Sequence, residues 1–264
     1  MIERIQSGSP IDNIFIFDAH AHFGDMSVHS GRVMYAPAML ETMDALGVNQ
    51  LALSSNISLA GDVYFGNEQM KEVVSAYPER FYGYVTVHPQ YPYLDMLNSY
   101  VSCPNILGVK IHAMYHGVSI DNEMYLDAYD FANQRELPVL FHTWGPGEVS
   151  AVTKIAKEYP HLKAIIAHSA FTSYSAKLAV IDAMHRYDNV YADTTISITY
   201  DGALEWIVER IGSDRLLYGS DMPCFDCRQE LGRVLLSKLS DGEKEKILGL
   251  NAKKLFNLYT GGTI

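Results

Sequence analysis

The chain has 264 residues, 48% of them hydrophobic and 19% charged, enough for a sizeable core and suited to one large α/β barrel or two small domains. Its formal net charge of −11, with no Lys/Arg cluster, excludes nucleic acid or an anionic membrane as the main partner and leaves a small molecule. Three cysteines, Cys103, Cys224 and Cys227, are too few and too odd in number for a disulfide framework and suit a reducing cytosol. The first residues lack the apolar core of a signal peptide, and no apolar run approaches the ~20 residues that cross a bilayer. The expected location is cytoplasmic.

Short apolar strands alternate with amphipathic helices along the chain. Phe15–Asp18 comes first and runs on as Ala19-His20-Ala21-His22. Residues i and i+2 of a strand share a face, so His20 and His22 project side by side as a pair of imidazole ligands for Zn, Mn, Fe or Ni. Asp18 has the same parity and is expected to point inward below them, orienting a ligand or paired in the core. The following loop, Phe23–Tyr35, is long for a βα connection. It reads either as a lid, with Arg32 its best cation for a substrate carboxylate, or as a plain solvated loop.

Pro37–Leu46 is helical and stops at Gly47, Gln50–Ser54 is the second strand, and Asn67–Tyr77 is a helix that stops before Pro78. Phe81–Val87 and Leu107–His112 are the third and fourth strands, the first followed by His88 and the second holding Lys110. The helix Asn122–Glu136 leads to strand five, Pro138–His142, with Trp144 just beyond it. The helix Val149–Tyr159 precedes strand six, Ala164–His168, and the helix Ser173–Tyr187 precedes strand seven, Val190–Asp193. Asp201–Ile211 is helical up to Gly212, and Leu216–Ser220 is strand eight, with Asp221 at its end. The tail from Gly242 to Phe256 reads as one or two closing helices.

Eight βα units in this length predict a (β/α)8 TIM barrel, one domain over residues 1–264. The alternative is a doubly wound open sheet. That sheet wants a Gly-rich phosphate turn after strand one, where this chain has His-x-His followed by Phe23-Gly24-Asp25. A barrel gathers the C-terminal ends of its strands, so His20, His22, His88, Lys110, His112, His142, His168, Asp193 and Asp221 converge. One strand-end histidine is more often structural than a ligand. A buried cluster of imidazoles and carboxylates without a cation would cost desolvation, which makes a divalent ion the economical reading.

Several stretches carry a family resemblance. They are Phe17-Asp18-Ala19-His20-Ala21-His22, Gly108-Val109-Lys110-Ile111-His112, Leu140-Phe141-His142-Thr143-Trp144, Ile165-Ile166-Ala167-His168 and Leu216-Leu217-Tyr218-Gly219-Ser220-Asp221. With the closing Gly249-to-Phe256 helix, they resemble the amidohydrolase superfamily, and within it the amidohydrolase 2 branch that includes aminocarboxymuconate-semialdehyde decarboxylase. The resemblance implies that His20, His22 and His142 bind the metal, that Asp221 completes or borders the sphere, and that His168 faces it. Lys110 occupies the position that is carboxylated in binuclear members. Followed here by His112, it matches the mononuclear pattern and implies one divalent ion, zinc first, with manganese or iron as alternatives. Lys110 is then a substrate contact or the partner of a carboxylate such as Asp18. Related barrels often dimerise through outer helices, so a homodimer is the expected assembly.

Such a site suits hydrolysis of a small-molecule amide, ester or lactone by a metal-activated water, with Asp221 as acid–base group and His168 on the carbonyl oxygen. The same site admits a second reaction, non-oxidative decarboxylation of an unsaturated or aromatic acid, for which Arg32 and Trp144 would serve as clamp and ring surface. The short chain favours hydrolysis, since the decarboxylases of the branch tend to carry larger insertions. A barrel that only binds a ligand is disfavoured by the complete ligand set. Asp193 is expected as a hydrogen-bonding or substrate residue, His88 as pocket wall, and Phe225 with Trp144 as an apolar wall. His29, His116, His161 and His185 are expected bystanders, and Cys224 and Cys227 two free thiols.

Overall fold

The computed structural model describes residues 11, 13–25, 34–168, 172–195 and 200–258. Arg32, His29 and most of the expected lid lie outside the described residues. The strands are β1 Phe17–Phe23, β2 Gln50–Ser55, β3 Phe81–Thr86, β4 Ile106–Ile111, β5 Pro138–Phe141, β6 Lys163–Ile166, β7 Val190–Asp193 and β8 Leu216–Leu217. They form one sheet in chain order, each parallel to the next. Backbone hydrogen bonds close it: Ala19 N to Tyr218 O (2.8 Å), Asp221 N to His20 O (2.8 Å) and His22 N to Met222 O (2.7 Å). This is the (β/α)8 barrel; an open sheet would reverse its strand order at a switch point, and this one does not.

The barrel has two apolar layers, as parallel strands covered on both faces require. Phe17, Ala19, Tyr84, Leu140, Ile165 and Leu217 pack in the interior, where Ala252 and Leu258 of the tail join them. Phe256 lies against Phe17 and Tyr84, with ring centroids at 5.6 and 6.3 Å, and plugs that end. Leu51, Val109, Val139 and Ile166 face outward and pack with helix residues such as Met39, Met70 and Val152. Asn251 fastens the tail by donating to Ser213 O (2.6 Å) and Leu216 O (2.7 Å).

Local chemistry moves several helix boundaries. The helix Val63–Ala76 starts four residues earlier than Asn67 because Asp62 accepts from Tyr64 N and Phe65 N. The helix Pro146–Glu158 starts at its proline, where Glu148 Oε2 accepts from Gly145 N (2.7 Å) and Trp144 N (3.0 Å). The stretch expected as Asn122–Glu136 divides into a 3-10 turn, Glu123–Tyr125, and a helix, Leu126–Gln134. Helices Asn56–Ala60, Ala113–His116, Leu94–Val101 and Cys227–Leu235 were not expected; the first two are too short to show a helical period. No helix among the described residues is long and apolar enough to cross a membrane.

Strand β1 departs from simple alternation. Its register against β2 runs Asp18↔Leu51 and then Ala21↔Leu53, three positions against two, which is a β-bulge. Phe17 and Ala19 therefore face the barrel interior, while Ala21 and Phe23 face the outer layer. Parity flips at the bulge and turns His20 and His22 inward. Asp18 does not sit beneath them, contrary to the alternation argument. Its carboxylate accepts from Ser220 N (3.0 Å), Ser220 Oγ (2.5 Å) and His20 N (3.1 Å), and so pins β1 to the end of β8. Burial pushes the Asp18 carboxyl up to about 7.

Candidate active site

The bulge in β1 and the end of β8 bring together His20 Nε2, His22 Nε2 and Asp221 Oδ1. The two imidazole nitrogens are 3.2 Å apart; Asp221 Oδ1 is 2.9 Å from His22 Nε2 and 3.5 Å from His20 Nε2. Two ligands each ~2.1 Å from one ion are ~3.0–3.4 Å apart at tetrahedral or octahedral angles, so this donor set fits a metal ion. All three residues are buried, and these atoms form one of the groups able to hold a cation. Burial lowers the pKa of both imidazoles, leaving them neutral and able to ligate. Burial also pushes the Asp221 carboxyl up, but the hydrogen bond from His22 and the nearby Lys110 ammonium hold it below the usual carboxylate range.

His142 stands outside that group. Its Nδ1 is 3.1 Å from His168 Nε2, and its own Nε2 is buried without a hydrogen-bond partner. A buried imidazole nitrogen with nothing to bind is costly, and a cation would satisfy it. Burial lowers the pKa of His142 and of His168. The ring of His168 lies 4.9 Å from that of His20, centroid to centroid. His168 and Asp221 both have left-handed backbones, with φ of 61° and 54°. For residues other than glycine this costs roughly 1–3 kcal/mol each and marks a site whose geometry the surroundings impose.

Lys110 is fully buried, with Nζ 3.0 Å from His20 Nε2. Burial lowers its ammonium to about 8, against the pull of Asp221 and Asp193. It is not the partner of Asp18, whose oxygens are taken by Ser220 and the His20 amide. Trp144 ends a ladder of near-parallel rings. Tyr115 stacks on His112 at 4.1 Å, His112 on His142 at 3.8 Å, and His142 faces Trp144 at 6.3 Å, all within 16° of parallel. Trp144 remains 46% exposed at the outer end.

Tyr115, on the short helix after β4, extends the ring wall from His112, which a strand-end list cannot show. Asp193, at 2.7 Å from His20 Nδ1, takes the orienting role expected of Asp18, and Thr195 joins it. Parity pointed to Asp18; only the bulge, which depends on pairing across the barrel, reassigns the role.

Other expected residues fall around this centre. The ring of His88 lies 4.3 Å from that of His116. His116 is buried, with Nδ1 2.8 Å from Tyr125 Oη, and burial lowers its pKa to about 3. Cys224 and Cys227 are free thiols, pushed up by burial to about 12 and about 11. They line a cavity of about 520 Å³ with half-buried Phe225.

Comparison with known proteins agrees with the resemblance read from the motifs. Residues 17–258 match the family model described as Amidohydrolase. A gamma-resorcylate decarboxylase of Polaromonas sp. is 23% identical over 280 residues, spanning 84% of this chain and 81% of the relative. A 2,6-dihydroxybenzoate decarboxylase from Rhizobium superposes with a TM-score of 0.75 at 16% identity, covering 92% of this chain and 99% of that one. A 5-carboxyvanillate decarboxylase of Novosphingobium aromaticivorans, a mutant holding manganese and 3-methoxy-4-hydroxy-5-nitrobenzoic acid, gives 0.74 at 16% identity, covering 94% and 98%.

The two solved structures attest the fold. The names overturn the hydrolase expectation, because the activity named for each of these three proteins is a decarboxylation. The length argument for hydrolysis fails with it, since the chain spans nearly all of both solved structures. Zinc has no support of its own here; the neighbour described with an ion holds manganese.

Proposed function

We propose, from the premise that this chain belongs to the amidohydrolase family, that it catalyses the metal-dependent, non-oxidative decarboxylation of an aromatic carboxylic acid. The observation that carries this reading is the ring ladder from Tyr115 to Trp144 running beside the His20–His22–Asp221 group. A flat aromatic wall next to a centre that anchors anions suits a planar ring bearing a carboxylate. The relatives named above support the same substrate class.

One divalent cation would be held by His20, His22 and Asp221, with His142 as a further donor. It would supply positive charge that anchors a carboxylate and draws electron density from the ring. Manganese and zinc both suit two or three imidazoles and a carboxylate. The remaining work falls to side chains. His142 and Trp144 offer faces against which the ring can stack, and Lys110 beside His20 adds a cation for the substrate's oxygens. In the reaction the bond from ring to carboxylate breaks, CO2 leaves, and the electron pair left on the ring carbon takes up one proton. Asp221, ionised and accepting from His22 at the centre of the cluster, is the proton carrier: it takes up one proton from solvent water and passes it to that carbon. His168 has both ring nitrogens engaged, Nδ1 with Thr195 and Nε2 with His142, and so holds the His142 ring in place.

The test is a screen of hydroxylated benzoates, 2,6-dihydroxybenzoate and 5-carboxyvanillate among them, with Mn2+- and Zn2+-loaded protein, following CO2 release. Turnover is expected, and Asp221→Asn should cut kcat by about 10²–10⁴-fold. No CO2 from any member with either metal, or full activity in Asp221→Asn, would refute the reading.

A further inference from the structure

Asp193 is the most heavily used acceptor in the site. Its Oδ1 accepts from the backbone N–H of His168 (3.0 Å), the backbone N–H of Thr195 (3.2 Å) and Thr195 Oγ1 (2.6 Å). Its Oδ2 accepts from His20 Nδ1 at 2.7 Å. Asp193 and Thr195 are both fully buried, so no water competes for these groups.

Proton counting then runs outward from the carboxylate. Thr195 has one hydroxyl proton, and it goes to Asp193. Toward the ring of His168, Thr195 Oγ1 can only accept. His168 Nδ1, 2.7 Å from that oxygen, therefore carries a proton, and a neutral ring keeps a lone pair on Nε2. That Nε2 is 3.1 Å from His142 Nδ1, and the bond between them needs a proton that only His142 Nδ1 can now supply. His142 Nε2 is left with a lone pair, and this is the nitrogen that is buried without a partner. His20 follows the same logic in one step. With its Nδ1 proton on Asp193, its Nε2 is bare, facing Lys110 Nζ at 3.0 Å.

We propose that Asp193 and Thr195 are positioning residues that fix a single tautomer in three imidazoles, His20 directly and His168 then His142 in series, and so keep Nε2 of His20 and of His142 as bare donors for a divalent cation. Two features support the relay. The same two acceptors, Asp193 Oδ1 and Thr195 Oγ1, hold the His168 amide, and with it the left-handed backbone that presents the ring. Gly219 makes room for the relay: a Cβ there would lie 2.7 Å from Thr195 Cγ2 and 3.0 Å from His20 Cβ. His22 lies outside the scheme. In the metal-free protein its Nε2 donates to the Asp221 carboxylate at 2.9 Å and its Nδ1 takes the Ser54 hydroxyl at 2.9 Å, so its tautomer is set by Asp221 rather than by Asp193 and Thr195.

The experiment uses the full chain labelled with 15N-histidine. Long-range 1H–15N spectra of the metal-free protein read each tautomer, and competition with a chromophoric chelator reads Zn2+ affinity. His20, His142 and His168 are expected as Nδ1–H tautomers. Thr195→Val, which keeps the shape but loses the hydroxyl and its three hydrogen bonds, should leave His168 and His142 as tautomer mixtures and weaken Zn2+ binding about 10–100-fold. Thr195→Ser should restore both. An Nε2–H tautomer at any of the three in the unmodified protein overturns the proposal, as does a Thr195→Val protein with unchanged spectrum and affinity. If Thr195→Val does not fold, the unmodified and Thr195→Ser spectra decide alone. Neither readout involves turnover, so failure here is distinct from failure of the decarboxylase reading.

Discussion

At the scale of single residues, the site mixes side chains that hold charge with side chains that hold shape. Trp144 belongs to the second kind. It is anchored through its own amide on Glu148 rather than by burial, and it stacks on His142 while nearly half exposed. Stacking of this sort contributes roughly 0.5–1.5 kcal/mol beyond area burial. Trp144→Ala should therefore raise KM for an aromatic acid about 3–10-fold. The kcat should change far less, because the indole meets the rings of His142 and His168 and the proton carrier is Asp221. Steady-state kinetics on any substrate found in the benzoate screen would check this, and a fall confined to kcat would assign Trp144 a different role. Asp18 and Asp193 make the complementary point. Both are buried carboxylates at strand ends, yet one fastens a backbone seam and the other an imidazole, and only the three-dimensional partners distinguish them.

At the scale of elements, the barrel depends on backbone approaches that leave no space for a side chain. Gly108 in β4 is the tightest. A Cβ there would stand 2.0 Å from the carbonyl oxygen of Pro138 at the start of β5. The obstacle is backbone, not a flexible chain end, so Gly108→Ala must push two paired strands apart. A loss of about 3 kcal/mol is expected, measurable as a lower midpoint in urea with little change in slope. Elements of this kind were largely legible in the sequence. Strand runs, their alternation with helices and the polar residues at their C-terminal ends follow from period and chain order alone, and they delivered His20, His22, Lys110, His142, His168 and Asp221. The β1 bulge was not legible, because an extra residue is defined only against its partner strand. Nor were the one-turn helices at Asn56 and Ala113, too short for a period. The reaction was misjudged for a different reason: hydrolysis and decarboxylation draw on the same imidazoles and carboxylate, so the residue types at the strand ends do not separate them.

At the scale of the whole molecule, the density of buried imidazoles sets the response to acid. Burial lowers the pKa of His20, His22, His112, His116, His142 and His168. In the unfolded chain these rings take protons near pH ~6.5. Below that pH the unfolded state binds more protons than the native state, so stability falls as pH falls. Asp18, raised to about 7, and Asp193, also raised, act in the opposite sense, since the folded protein keeps protons that the unfolded chain releases above about pH 4. Six groups outweigh two. The denaturation midpoint of the metal-free protein should drop steadily from about pH 6.5 toward pH 4.5. A flat profile across that range would mean the rings are less shielded than their burial indicates.

The bonds that shut the barrel run between β1 and the segment after β8, and they involve the backbone of His20, His22 and Asp221 themselves. The clasp of the cylinder and the jaws of the site are thus one piece of chain. Whatever grips those three side chains also latches the staves together, and any breathing that opens the first and last strands lets go of the cargo. For this barrel, coming apart and letting go are a single event.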